Sequence, residues 1–146
     1  MADDISGPVG PVEYSVLRQL RELFLNDEPL VDTATLDDPA NPTHLVVEFT
    51  SGLESPGRFE ITWGASGAYR FHYTEQDGLD FRFDRHPKAD APTAHFHPPS
   101  DADRVEPSFL AGVTQPQVVT RAVLARWREA IVWDGDLGVL NPINEG

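Results

Sequence analysis

The chain has no cysteine. That absence excludes disulfides, thiolate metal sites and a cysteine nucleophile. Lysine is almost missing too: of the eleven basic residues only Lys88 is one, and the other ten are arginines. There is no apolar run of roughly 18 residues, the length a membrane helix needs. No charged-then-apolar leader opens the sequence, and nothing marks a lipidation site. These absences lead us to expect a cytoplasmic protein with no membrane span. There is no internal repeat and no low-complexity tract.

What is present is acid. Twenty-four Asp and Glu residues give 146 residues a formal net charge of -13. Excess Asp and Glu with scarcely any Lys resembles the composition of proteins that work in molar salt inside the cell. There the Debye length falls to roughly 3 Å and self-repulsion is screened. In dilute buffer the same charge works against the compact state. The acidity is uneven. Residues 1–57 hold eleven acids against two basic residues, residues 58–104 eight against six, and residues 105–146 five against three. A site for an anion is sensible in the middle stretch and not in the first third.

A hydrophobic fraction of 40 % is enough for a core in a chain of ordinary domain length. Residues 1–10 read as a flexible acidic tail, residues 11–135 as one α+β domain and residues 136–146 as a C-terminal tail. Val16, Leu20, Leu23 and Phe24 recur at helical spacing after Pro11, which suits a first helical turn. The next sixty residues read as strands: Leu30 to Thr35, His44 to Thr50, Arg58 to Trp63, Ala68 to Thr74 and Leu79 to Asp84. Asp77-Gly78 is a hairpin signal. Short strands joined by tight turns predict an antiparallel meander of about five strands. Residues 85–108 are rich in proline and read as a long loop, with one short edge strand around Ala94 to His97. Thr114 and Gln117 have the spacing of a capping box ahead of a last helix, whose stripe is Val119, Val123, Trp127, Ala130 and Ile131.

Four of the five histidines (His72, His86, His95 and His97) fall within 26 residues. A period of two sharpens this cluster. Tyr69, Phe71 and Tyr73 share one side of their strand, leaving Arg70 and His72 on the other. Leu79, Phe81 and Phe83 share one side of the next, leaving Arg82 and Asp84 opposite. His95 and His97 point one way if their segment is extended. Two imidazoles can take and give a proton on a phosphodiester. Arginines can hold the phosphate, and Asp84 can orient an imidazole. The candidate catalytic residues are therefore His72, Asp84, His95 and His97. The candidate substrate-binding residues are Arg70, Arg82, Arg85 and His86. This metal-independent, ribonuclease-like scheme needs no cofactor. Two other readings stay open. His95 and His97, completed by Asp84, His86 or His72, could hold zinc, manganese or nickel. The same groups could also simply solvate a sheet face, or grip a partner protein without catalysis. His44 lies apart at a strand start.

The run Tyr69-Arg70-Phe71-His72-Tyr73, Asp77-Gly78, Phe81-Arg82-Phe83-Asp84, His86-Pro87, His95-Phe96-His97 and Val105-Glu106-Pro107-Ser108 resembles the TumE-type toxins of toxin–antitoxin operons. The resemblance covers roughly residues 58–130. It implies a growth-inhibiting protein paired with a helix-turn-helix antitoxin and acting on RNA or the translation apparatus. The basic, histidine-bearing region of that family falls here on Arg70, His72, Arg82, Asp84, His86, His95 and His97. The acidity and the distinct N-terminal helix and strands depart from the family pattern.

Overall fold

A computed structural model describes residues 11–86, 94–99, 104–133 and 137–142. The tail expected over residues 1–10 lies outside them. The architecture is α+β, as the alternation of pattern periods led us to expect, with seven strands rather than about five.

Helix α1 spans Tyr14–Asp27 and buries Leu17, Leu20, Leu23 and Phe24. Pro11 is not in its first turn: Val12 instead bridges Gly64 as an isolated antiparallel contact. The strands are β1 (Val31–Leu36), β2 (Leu45–Phe49), β3 (Gly57–Trp63), β4 (Tyr69–Glu75), β5 (Asp80–Arg85), β6 (Ala94–His97) and β7 (Glu106–Pro107). They form one sheet in chain order, every neighbouring pair antiparallel. The two strands beyond the expected count come from the proline-rich stretch. There β6 pairs with β5, and the two-residue β7 pairs with β6, so β6 is not the edge. Helix α2 spans Pro116–Val132.

The sheet has two unlike faces because side chains alternate along a strand. Phe59, Ile61 and Trp63 of β3, Phe71 and Tyr73 of β4, and Phe81 and Phe83 of β5 point inward and are buried. Both helices cover that face. Phe24 of α1 meets Phe59 at a ring separation of 6.5 Å, and Trp127 of α2 lies 4.2 Å from Phe49. Each such side chain removed from water contributes about 1.5–3 kcal/mol, so this face supplies most of the driving force. Arg128 of α2 pairs with the buried Glu28 at the end of α1, which ties the helices together.

Two details of local grammar differ from the sequence reading. The capping box does not form: α2 begins at Pro116 with Gln115 as its N-cap and no side-chain cap. Thr114 therefore sits one position too early to reach the first-turn N–H groups. Gln117 donates to Gln19 of α1 instead, at 2.9 Å. Beyond α2, Leu140 follows a short 3-10 turn and is buried, although its stretch reads as a tail.

Turn chemistry sets the register of the central hairpin. The Glu75 carbonyl accepts from Gly78 N–H at 3.0 Å, and Gly78 has φ +103°. A side chain there would be strained, and glycine is not. Glu75 faces inward at the end of β4 and is 6 % exposed. Its carboxylate accepts from the backbone N–H groups of Leu53 (2.5 Å), Glu54 (2.9 Å) and Ser55 (3.0 Å), and from the Tyr73 hydroxyl (2.6 Å). The loop between β2 and β3 is thus folded around one buried carboxylate.

Candidate functional site

On the outer face the alternation places Arg58, Glu60 and Thr62 of β3, Arg70, His72 and Thr74 of β4, and Asp80, Arg82 and Asp84 of β5. Register then arranges them in rows across the strands. Thr62, Arg70, Asp84 and His95 are successive cross-strand partners in one row. Glu60, His72, Arg82 and His97 make the next row.

Asp84 is the hub of the first row. It is only 3 % exposed although it lies on the outer face. Arg70 Nε donates to its Oδ1 at 3.3 Å, and Arg82 Nε donates to its Oδ2 at 2.8 Å. His97 Nε2 lies 3.2 Å from the same Oδ2 and 3.1 Å from Arg82 Nη2. One ring nitrogen cannot serve both neighbours at once. Unprotonated, it accepts from Arg82; bearing a proton, it donates to Asp84. Which contact forms depends on whether Nε2 carries the ring hydrogen.

His72 has a carboxylate of its own. Its Nε2 lies 3.1 Å from Asp80 Oδ2, and both side chains are about one-third exposed. The sequence reading missed Asp80, although the alternation that selects Arg82 and Asp84 also selects the position two residues earlier. His86 extends the Asp84 side of the strand. Burial pushes its imidazole below the ordinary value; Asp84 pulls it up, while Arg70, His95 and Arg82 push it down. Its Nδ1 and the Thr62 hydroxyl oxygen are both buried without a hydrogen-bond partner among the described residues.

Of the residues singled out in the sequence, then, Arg70, Arg82 and His97 meet at Asp84. His72 sits beside Arg82, His95 is the cross-strand partner of Asp84, and His86 is within electrostatic reach. Arg85 is not brought in. It pairs with Tyr69, on the inward parity, and its Nη1 donates to the Gly67 carbonyl at 3.0 Å. His44 stands apart, near Asp37. Among the described residues, no three His, Asp or Glu side chains are grouped so as to hold a metal ion.

A protein-family model described as Toxin TumE matches residues 20–131. The chain belongs to the TumE toxin family. The match takes in the second half of α1, all seven strands and nearly all of α2, and so both rows of the outer face. Membership of a TumE toxin family implies an antitoxin partner. No similar curated protein and no similar solved structure was found. No helix among the described residues of this TumE-family chain is long and apolar enough to cross a membrane.

Proposed function

We propose that this TumE-family toxin acts in the cytoplasm of a cell with high internal salt, and that it cleaves RNA by metal-independent histidine acid–base chemistry. One observation carries the reading. His72, Arg82 and His97 are direct cross-strand partners on three adjacent strands, and each imidazole has a carboxylate behind it, Asp80 and Asp84. Adjacent strands lie about 4.8 Å apart, which sets the two histidine backbones about 10 Å from each other. A phosphodiester fits between two such side chains, over the guanidinium.

The roles follow from exposure. His72, beside a carboxylate about one-third exposed, takes the proton of a ribose 2′-hydroxyl as that oxygen attacks phosphorus. His97, held against the buried Asp84 on the other side of Arg82, gives a proton to the departing 5′-oxygen. Arg82 meets the charge that builds on the phosphoryl oxygens, and Arg70 offers further positive charge. The products are a 2′,3′-cyclic phosphate and a 5′-hydroxyl, with one proton taken and one given. Growth arrest would follow from loss of RNA, relieved by a helix-turn-helix antitoxin encoded alongside.

The test is controlled expression in a host of suitable salinity, with RNA integrity read beside growth. His72→Ala and His97→Ala should each lower cleavage by about 10²–10⁴-fold, the range of a lost general acid or base. A double variant that still arrests growth and degrades RNA as the parent does would remove both histidines from the mechanism. A second reading has its own support: the Asp84 carboxylate contacts Arg70, Arg82 and His97, all within the fold, as in a face built only to grip a protein. Arrest of growth with intact RNA favours that reading.

A further inference from the structure

A cleft of about 640 Å³ opens on this same outer face, at the end of the sheet where β1 to β4 meet. Glu48, Arg58, Thr74 and Gln76 line it. It adjoins the row proposed for reaction. Thr74 is the cross-strand partner of Asp80, which holds His72, and Thr74 lies two residues from His72 along β4, about 7 Å. A nucleotide joined to a phosphate over Arg82 would place its base there.

The groups in the cleft suit a base rather than another phosphate. Glu48 and Arg58 are direct cross-strand partners. The Arg58 side chain is half exposed, and its nearest carboxylate, Glu60, is 3.9 Å away, so its fork of donors is little engaged. Glu48 accepts one hydrogen bond, from the Thr33 hydroxyl at 3.1 Å through Oε1. Its Oε2 has no partner among the described residues. A carboxylate facing the cleft repels a phosphate. Paired with an arginine fork, it matches one base better than the rest. Guanine presents two adjacent N–H donors, N1–H and the 2-amino group, which suit a carboxylate. It also presents two adjacent acceptors, O6 and N7, which suit a guanidinium. Adenine, cytosine and uracil each lack at least one of those paired edges. Sequence-specific RNA recognition works on such splayed-out bases.

We propose that this cleft is a guanine subsite, with Arg58 on O6 and N7 and Glu48 on N1–H and the 2-amino group. The assignment rests on the RNA reading above for its position in a reaction, but not for its chemistry. Equilibrium dialysis of the full chain in molar KCl against guanosine, adenosine, cytidine and uridine 5′-monophosphates tests it. Guanosine monophosphate should bind about tenfold tighter than the others, and inosine monophosphate, which lacks the 2-amino group, about tenfold weaker than guanosine monophosphate. Arg58→Lys and Glu48→Gln should each erase the preference, whereas His97→Ala should keep it. Equal binding of all the nucleotides, or inosine equal to guanosine, overturns the proposal without any variant having to fold. Guanine preference with RNA left intact keeps the subsite and sinks the cleavage reading. RNA cleaved with no preference at guanine, and no preference in dialysis, sinks the subsite alone.

Discussion

A carboxylate that is 3 % exposed on the open side of a sheet needs compensation, because burying a charge costs several kcal/mol. Asp84 obtains it from Arg70 and Arg82, whose side chains keep about a quarter of their surface in water. Asp84→Asn keeps the shape, removes the charge and leaves two guanidinium groups without their counter-ion. Chemical denaturation in KCl should show a loss of about 2–3 kcal/mol. Asp80→Asn, at a pair about one-third exposed, should cost under about 1 kcal/mol. Equal losses at the two positions would mean that Asp84 is not the hub. Much of this face is legible in residues alone, since a period of two names Arg70, His72, Arg82 and Asp84. Charge without parity misleads: Arg85 is as basic as Arg82 but points the other way. The burial of Asp84 is not legible, because it follows from how three strands close around it. Nor is Glu75, whose partners are backbone N–H groups of a loop twenty or more residues earlier.

The five strands from β1 to β5 are legible in the sequence. Their alternation is strong, and the turn residues between them are unambiguous. Of the two short strands in the proline-rich stretch, β6 is legible as Ala94 to His97, whereas the two-residue β7 is not, because pairing, not pattern, creates it. The capping box failed for the same kind of reason: Pro116 fixes where α2 starts, and the polar residues adjust. The connection between β1 and β2 is held by side-chain chemistry. Asp37 accepts from the backbone N–H groups of Thr43 (2.8 Å) and His44 (3.2 Å) and from the Thr43 hydroxyl. Desolvation raises its carboxyl, but these hydrogen bonds and the neighbouring His44 outweigh it and hold the group well below the ordinary carboxylate range. A depressed folded-state value stabilises above the unfolded value near 4, and that stability is lost as pH falls through the folded-state value. Asp37→Asn should therefore lower the melting temperature at pH 7, and the gap to the parent should close as pH drops below about 4. A gap that stays constant with pH would assign the effect to shape rather than to charge.

Across the whole molecule, a net charge of -13 acts on every element at once. The proposed guanine subsite draws Glu48 from the acidic first third, where a base with N–H donors is welcome and a phosphate is not. The proposed phosphate site stays in the near-neutral middle, between guanidinium groups already committed to a buried carboxylate. That division suits molar salt, where long-range attraction of RNA phosphates is screened and binding must rest on close contacts. The same charge sets the stability. In dilute buffer the acids repel one another across the surface; at molar KCl that repulsion is screened to roughly 3 Å. Raising KCl from 0.1 M to 3 M should lift the melting temperature by about 10 °C, roughly 2–3 kcal/mol for a chain of this length. Sucrose at matched osmolality separates the causes, because it strengthens burial by exclusion from the surface without screening charge. A melting temperature indifferent to KCl, or raised as much by sucrose, would mean that self-repulsion is not what salt relieves, and the high-salt setting would lose its physical basis.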